Sequence, residues 1–360
     1  MGPGPSNVHP RVLQAMAGPT IGHLDPAFIG LMDEIKSLLR QIFFTKNEVT
    51  FPVSGPGSAG MEMAVANMVE PGMKVAVCVN GAFGGRIREM VERHGGTPIV
   101  VEAQWGKPID PDALDRTLSA NRDIKLVAFV HAETSTGARS DIEQLSGVAH
   151  KYDCLTIADT VTSLGGIPVK VDDWNMDVVY SGTQKCLSCP PGLSPITLNE
   201  RAVDFIKGRR TKVQSWFLDI GLLVSYWGGA KRTYHHTAPI NALYGLHEAL
   251  LLVQEGGLEN AWARHKKNAE TFRAGLAKLG LKTLVSEDAS LPELVTVVVP
   301  DGVDEAAVRN RLLEKYNIEI GAGLGQLAGK IWRIGLMGYT SNEKNIKLCL
   351  TALEESMRKD

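Results

Sequence analysis

Short apolar runs alternate with amphipathic helical patterns through much of the chain. The runs include KVAVCV, TPIVVE, IKLVAFV, CLTIAD and DVVYSG, and patterns such as FGGRIREMVERHG and DIEQLSGVAHKY lie between them. A short apolar run is typical of a strand that is buried on both faces, and an intervening helix joins two such strands in parallel. The alternation therefore predicts an α/β fold with a mostly parallel sheet covered by helices.

The pattern changes in the last third of the chain. A long helical stretch is interrupted at Gly256 and Gly257, and strands and helices of an α+β kind follow, such as LPELVTVVVP and DEAAVRNRLLEKY. A chain of 360 residues also exceeds the size at which one hydrophobic core stops growing. We expect an N-terminal arm over residues 1–20, a large domain over 21–255 and a small C-terminal α+β domain over 256–360.

Charge and hydropathy favour a small molecule as the partner. The chain carries 38 lysines and arginines against 40 aspartates and glutamates, a net charge of −2. Nucleic acid and anionic membranes attract basic surfaces, so neither is expected to bind. No apolar segment approaches the ~20 residues that a membrane-spanning helix needs. The five scattered cysteines are an odd number, which is typical of reduced thiols, and we expect a cytoplasmic protein.

Cys186 and Cys189 have the spacing of a metal-binding or redox pair. A structural zinc site would need a second such pair or histidines at matching spacing, and the sequence offers neither. A thioredoxin-like pair normally opens a helix after a first strand, whereas this pair follows a lysine in mid-chain. We therefore expect two packed thiols and no metal site.

Chemically active residues follow several of the predicted strands. In an open parallel sheet the ligand lies beyond the carboxyl ends of the strands, so these residues are expected to converge. They are the glycine-rich turn SGPGSAG, Phe83, the pair Thr134 and Ser135, Asp159, and Lys185.

Lys185 and Asp159 are costly residues to bury. Desolvation lowers the pKa of a lysine and makes its amine a nucleophile towards a carbonyl. A buried aspartate needs a partner, either a helix N-terminus or a protonated heteroaromatic nitrogen. The turn SGPGSAG is either a simple tight turn or an anion site at a helix start. Together, an anion site, a ring, a carboxylate and an amine match the phosphate, pyridine and aldehyde of pyridoxal 5′-phosphate (PLP).

The glycine-rich segments do not predict nucleotide binding. The phosphate-binding pattern GxxxxGK[ST] is absent, and neither GAFGGR nor GAGLGQLAG gives GxGxxG between a strand and a helix. A nicotinamide-dependent dehydrogenase would need that fingerprint, so we do not expect dinucleotide binding.

Several longer motifs carry a resemblance to a known family. They are GPGPSN, HAETSTG, ADTVTSLGG, YSGTQKCLSCPPG, TYHHTAP and IEIGAGLG with GKIWRIGLMG, which together span nearly the whole chain. The sequence resembles the class V aminotransferases of fold type I, most closely the alanine–glyoxylate and serine–glyoxylate aminotransferases. The resemblance implies PLP as cofactor and a homodimer with shared active sites.

The resemblance also implies roles for individual residues. Lys185 would bond to the aldehyde of PLP and move protons, and Asp159 would pair with the pyridine nitrogen. Arg333 would bind the substrate carboxylate, with Gly4 of the arm beside the substrate. The remaining implied cofactor contacts are Gly57, Ser58, Ala59 and Gln184 near the phosphate, Phe83 and Val161 on the ring, Thr134 near its hydroxyl, and Tyr234 and Thr237 reaching the neighbouring subunit's phosphate.

These roles together predict an aminotransferase. It would move the amino group of a small amino acid, alanine or serine, to glyoxylate or pyruvate. One motif arginine, Arg333, fits monocarboxylic substrates better than aspartate or glutamate. The alternatives are a lyase or desulfurase of the same fold, or a non-catalytic subunit. A desulfurase would need a mobile cysteine in the second half, where only Cys349 occurs.

Overall fold

The computed structural model describes residues 1–228 and 232–358. Two single-turn 3₁₀-helices, Gly325–Leu327 and Gly338–Thr340, accompany the longer elements. The α-helices are α1 (Pro10–Met16), α2 (Pro26–Phe43), α3 (Gly57–Met68), α4 (Ala82–Arg93), α5 (Pro111–Ala120), α6 (Ile142–Lys151), α7 (Glu200–Lys207), α8 (Ile220–Trp227), α9 (Ile240–Gly256), α10 (Leu258–Lys278), α11 (Glu305–Tyr316) and α12 (Glu343–Met357). The strands are β1 (Val49–Ser54), β2 (Lys74–Val79), β3 (Thr97–Glu102), β4 (Leu126–Val130), β5 (Ala132–Glu133), β6 (Ala138–Arg139), β7 (Leu155–Asp159), β8 (Val178–Tyr180), β9 (Leu193–Leu198), β10 (Leu294–Val298), β11 (Gly321–Ala322) and β12 (Ile331–Gly335).

The large sheet holds the first half of the chain together. In the described part of the chain it has seven strands in the order β1-β9-β8-β7-β4-β2-β3. The strands β3, β2, β4, β7 and β8 pair in parallel, whereas β9 runs antiparallel to β8 and β1 runs antiparallel to β9. The prediction of an α/β fold with a mostly parallel sheet is confirmed.

The central strands are apolar because helices cover both faces of the sheet. Every residue of β4 and of β7 is buried, so these strands read as continuous apolar runs instead of alternating ones. The helix α2 begins at Pro26, because the Asp25 side chain accepts a hydrogen bond from the Ala27 amide and Pro26 fits the first turn.

A second, three-stranded sheet lies in the C-terminal part of the chain. Its order is β10-β12-β11, and both pairings are antiparallel. The helices α10, α11 and α12 pack on it around a separate apolar cluster that includes Phe272 and Trp332. The main cluster ends at Leu250 and the second begins at Ala269, on either side of the expected boundary at residue 256. The division into three segments stays a prediction.

The N-terminal segment is only partly extended. Helix α1 forms inside the segment expected to be an arm, because the His9 side chain accepts from the Arg11 amide and Pro10 occupies the first turn. Residues before it lie along the second sheet, where the Gly335 amide donates to the Met1 carbonyl oxygen at 2.8 Å. This path brings the segment next to the Lys185 loop.

Candidate active site

A cavity of about 180 Å³ lies at the carboxyl ends of the parallel strands. It forms there because β4 and β7 end side by side and the chain then turns away into loops. Eight of the residues expected to contact a cofactor line it. They are Gly57, Ser58, Phe83, Thr134, Asp159, Val161, Gln184 and Lys185. Ala59 does not line the cavity and packs against the main core.

Lys185 lies between β8 and β9, in a loop whose ends belong to the large sheet. Burial, together with the smaller effect of the nearby positive charge of Arg333, lowers the pKa of its amine to about 8. The amine donates a hydrogen bond to the Pro3 carbonyl oxygen at 2.5 Å. A lysine with this pKa is partly neutral near pH 7.5, so its nitrogen lone pair is available for attack on a carbonyl.

Asp159 is the last residue of β7 and its side chain is buried. Oδ1 accepts from the Val161 amide at 2.8 Å, and Oδ2 accepts from the Tyr180 hydroxyl at 2.8 Å. Burial raises the pKa of Asp159 to about 6, and the two hydrogen bonds oppose that rise. The carboxylate is therefore mostly ionised at pH 7, in a position where it can hold a proton on a bound heterocycle. Tyr180 was missed by the sequence analysis, because its hydroxyl reaches Asp159 across two neighbouring strands.

The glycine-rich turn opens α3 at one wall of the cavity. Gly57 is the first residue of α3, and that helix end has no side-chain cap. A Cβ at Gly57 would lie 3.0 Å from Val161 Cγ2, so a larger residue would close the space between the turn and Val161. The free amides at such a helix end attract an anion.

Phe83 is positioned by Glu133, a residue that the sequence analysis did not single out. Glu133 is fully buried, and its Oε2 accepts from the Phe83 amide at 3.1 Å and from the Gly84 amide at 3.2 Å. Its Oε1 accepts from the Ser135 hydroxyl at 2.5 Å. Burial raises the pKa of Glu133, and these donors oppose the rise. The signal that could have found it was its place inside HAETSTG, directly after a strand.

Arg333 lies on β12 with its guanidinium next to the cavity. Nε donates to the Ala322 carbonyl oxygen at 2.7 Å, and Nη1 donates to the Thr134 carbonyl oxygen at 3.3 Å. These bonds use two of the five N–H donors of a guanidinium and fix its plane. The side chain is buried, which lowers the pKa of the guanidinium without threatening its charge.

Gly4 packs directly against the catalytic candidate. Its φ is +105°, a conformation that glycine adopts readily, and a Cβ there would lie 2.5 Å from Lys185 Nζ. The segment is held nearby because the Ser6 amide donates to the Gln184 carbonyl oxygen and the Ser6 hydroxyl donates to the Lys185 carbonyl oxygen. Gly4 therefore lies next to Lys185, and its contact with the substrate stays a prediction.

Tyr234 and Thr237 lie outside the cavity of their own chain. The Tyr234 side chain is 56% exposed, and its hydroxyl lies 3.3 Å from Thr237 Oγ1. Their expected contact with a neighbouring subunit stays a prediction.

Comparison with known proteins assigns the family. Residues 4–345 match the model of the aminotransferase class-V family. The chain belongs to the class-V aminotransferases. It is 39% identical to alanine–glyoxylate aminotransferase of Drosophila melanogaster, over 99% of this chain and 92% of the relative. It is 38% identical to (S)-ureidoglycine–glyoxylate transaminase of Bacillus subtilis, over 98% of this chain and 89% of the relative.

A solved structure extends the likeness to three dimensions. Alanine–glyoxylate aminotransferase from Nostoc sp. superposes on this aminotransferase with a TM-score of 0.97 and 49% sequence identity, covering 99% of this chain and 94% of the other. The expected family and the fold of the type I PLP-dependent transferases are confirmed. The protein is a transaminase, since its family and its relatives are transaminases.

The cysteines of the aminotransferase are all buried and unpaired. Cys349 lies within α12, and burial raises the pKa of its thiol to about 12, so it lacks the mobility and the thiolate character that a desulfurase needs. Cys186 donates its thiol hydrogen to the Thr162 carbonyl oxygen. Within residues 1–228 and 232–358, no group of three potential metal ligands gathers, and none of the helices is both long enough and apolar enough to cross a bilayer.

Proposed function

We propose that this aminotransferase uses PLP to move the amino group of a small amino acid, alanine or serine, to glyoxylate or pyruvate. The observation that carries the proposal is the meeting of the Lys185 amine and the Asp159 carboxylate in one cavity, with the Arg333 guanidinium beside it. The printed names of two relatives support glyoxylate as the acceptor.

The residues of the cavity fit PLP. Phe83 and Val161 both line the space in which a flat ring would lie, and Asp159 borders it. The uncapped start of α3 at Gly57 suits a phosphate, and the close approach of Val161 to Gly57 requires a residue without a side chain there. When bound, PLP supplies an electron sink for the pair left on the substrate Cα as its proton departs.

Each residue then has a task that its geometry supports. The Lys185 amine, with a pKa lowered to about 8, would hold the cofactor through its aldehyde carbon and would carry the proton removed from the substrate Cα. The Asp159 carboxylate would keep a proton on the ring nitrogen of the bound cofactor. Glu133 fixes the backbone of Phe83 and so keeps the ring face covered and dry.

Arg333 binds the carboxylate shared by the amino donor and the keto acceptor. Its plane is fixed by the Ala322 and Thr134 carbonyl oxygens, and the remaining donors form the planar fork that a carboxylate prefers. One guanidinium binds one carboxylate, which suits monocarboxylic substrates. Gly4 and Pro3 lie close to Lys185 and leave little space there for a bulky substrate side chain.

We also propose a homodimer in which Tyr234 and Thr237 complete the phosphate site of the neighbouring subunit. The exposure of Tyr234 supports this, and so does an exposed apolar surface close to it in sequence, formed by Trp216, Phe217, Leu222 and Val224. An apolar surface of this kind is typical of an interface. A cytoplasmic location remains part of the proposal.

Borohydride reduction tests the chemistry. The purified protein with PLP should be yellow, and reduction followed by peptide mapping should find the cofactor attached to Lys185 alone. A label on another lysine, or a protein that PLP does not colour, would overturn the proposal.

A panel of amino donors tests the substrates. Alanine, serine and (S)-ureidoglycine should each be offered with glyoxylate and with pyruvate, because the Bacillus subtilis relative is named for ureidoglycine. Alanine or serine should give the highest kcat/KM. A clear preference for ureidoglycine would replace the donor and leave the aminotransferase chemistry intact.

A further inference from the structure

Arg86 lines the cavity and carries a positive charge, but the proposed mechanism gives it no role. It lies on α4 one turn after Phe83 and lines the same cavity as Lys185 and Asp159. Its Nη1 donates to the Ser58 hydroxyl at 3.3 Å, and its guanidinium carbon lies 5.0 Å from the centre of the Phe83 ring. Two of its neighbours, Ser58 and Phe83, are therefore residues on which the proposed cofactor would rest.

Arg86 differs from the other arginines of its helix in its partners. Arg93 is bonded to Glu89 at 2.6 Å, and Arg88 lies 4.0 Å from Glu92. Within the described ranges, the structure gives Arg86 no carboxylate oxygen within 4.0 Å, and its neighbours are a hydroxyl and a ring face. A cation held in this way has charge and N–H donors available for an anionic ligand.

The surroundings of Arg86 favour a phosphate. Ser58 belongs to the first turn of α3, whose residues Gly57 and Ser58 line the cavity and whose amides have no side-chain cap. Arg86 approaches this turn from α4, so the two helices bring backbone amides, a hydroxyl and a guanidinium to one end of the cavity. The carboxylate of Asp159 and the amine of Lys185 belong to the part of the cavity lined by β7 and the loop after β8.

We propose that Arg86 binds the phosphate group of PLP, with its guanidinium held in place by the Phe83 ring and the Ser58 hydroxyl. The inference rests on the proposed function and adds a cation from the same chain to a phosphate site otherwise built of neutral donors. Phe83 would then have two roles: its ring would cover the cofactor, and it would also support the Arg86 guanidinium that binds the cofactor phosphate.

Binding of PLP and of pyridoxal, which lacks the phosphate, separates this role from a structural one. The cofactor-free protein is titrated with each compound by absorbance, using wild type, Arg86→Gln, Arg86→Lys and Arg88→Gln. Arg88 is the matched control, because it is on the same helix, exposed, and remote from the cavity lining.

We expect Arg86→Gln to raise the Kd of PLP about tenfold to a hundredfold and to leave the Kd of pyridoxal unchanged, since only PLP carries the charge that Arg86 would pair with. Arg86→Lys should fall between wild type and Arg86→Gln, and Arg88→Gln should match wild type for both compounds. In addition, inorganic phosphate should raise the Tm of the cofactor-free wild type more than that of Arg86→Gln.

The outcomes that overturn the inference are equally distinct. Equal losses for PLP and pyridoxal would mean that Arg86 acts on the ring or on the fold, and no loss for either would mean that it has no role in binding. A wild-type protein that binds neither compound would contradict the proposed function itself, whereas normal PLP binding with an unaffected variant contradicts only the role of Arg86.

Discussion

At the scale of single residues, the environment of each side chain decides its chemistry. Lys185 and Asp159 are both buried, and burial moves their pKa values toward each other, to about 8 and about 6. Between these values the amine is mostly protonated and the carboxylate mostly ionised, and a modest rise in pH releases the neutral amine. Because their pKa values differ, the Lys185 amine can transfer a proton near neutral pH while the Asp159 carboxylate stays ionised.

Asp159→Asn tests the charge on the cavity's carboxylate. An amide of the same shape cannot hold a proton on the ring nitrogen, so kcat should fall by about 100-fold or more in both half-reactions. PLP should still bind, because the α3 turn is unchanged. Stopped-flow absorbance with the cofactor saturating measures both half-reactions, and turnover close to that of wild type would remove Asp159 from the mechanism.

The sequence revealed the residues that follow strands but not those that reach the site from neighbouring segments. Lys185 and Asp159 were predicted because each comes directly after an apolar run. Tyr180 and Glu133 were missed because their roles depend on which strands are neighbours and on which helix begins opposite them. The Pro3 carbonyl oxygen was missed for the same reason, since a backbone atom has no sequence signature.

At the scale of elements, the helix starts connect the sheet to the site. The start of α4 depends on Glu133, whose carboxylate accepts from the Phe83 and Gly84 amides and from Ser135. These amides are among those that a helix leaves unpaired at its N-terminus. A carboxylate there also interacts favourably with the helix dipole, so one buried residue fixes the entire first turn.

Glu133→Ala should therefore weaken both the fold and the cofactor site. The buried amides of Phe83 and Gly84 lose their acceptor, which costs about 1–3 kcal/mol in the free energy of unfolding. Urea titration of the cofactor-free protein measures this loss, and the Kd of PLP should rise as Phe83 shifts. The control is Glu143→Ala, an exposed glutamate in the first turn of α6. Equal stability of the two variants would contradict the role of Glu133.

Strands and helices could be predicted where a short stretch of sequence carries the whole pattern. The apolar runs predicted the central strands, which lie at β2, β3, β4, β7 and β8. Helix α1 was missed because it is one short helix of seven residues after a run of glycines and prolines. The antiparallel directions of β1 and β9 were also not foreseen, because strand direction depends on the path of the chain between strands.

At the scale of the whole molecule, the two sheets meet behind the Lys185 loop. Glu293 lies there, fully buried, with neither carboxyl oxygen bonded to any group in the described ranges. A Cβ at Gly166 would contact both Glu293 and Cys186, so the carboxyl lies next to the residue that follows Lys185. Burial raises the pKa of Glu293 to about 8.

The raised pKa of Glu293 predicts a pH-dependent stability. The folded state keeps this proton between pH 4.5 and about 8, where the unfolded chain releases it, so stability falls as pH rises through that window. Between pH 5 and pH 8 the wild type should lose about 3 kcal/mol relative to Glu293→Gln, which does not titrate. Urea titrations of both proteins across this range measure the difference, and parallel pH profiles would contradict it.

A shared active site would make each subunit depend on residues of its partner. If Tyr234 and Thr237 serve the neighbouring site, a chain with Lys185→Ala and a chain with Tyr234→Ala and Thr237→Ala are defective in different halves of a shared site. The first should be inactive and the second should lose much of its PLP affinity at limiting cofactor.

In a mixed dimer, one of the two sites regains every group. Mixing the two chains at equal concentrations should therefore restore activity up to about a quarter of the wild-type level, because about half of the dimers are mixed and each has one intact site. Subunit exchange is verified by mass spectrometry of the intact dimers. Exchange without any recovery of activity would mean that Tyr234 and Thr237 act within their own chain.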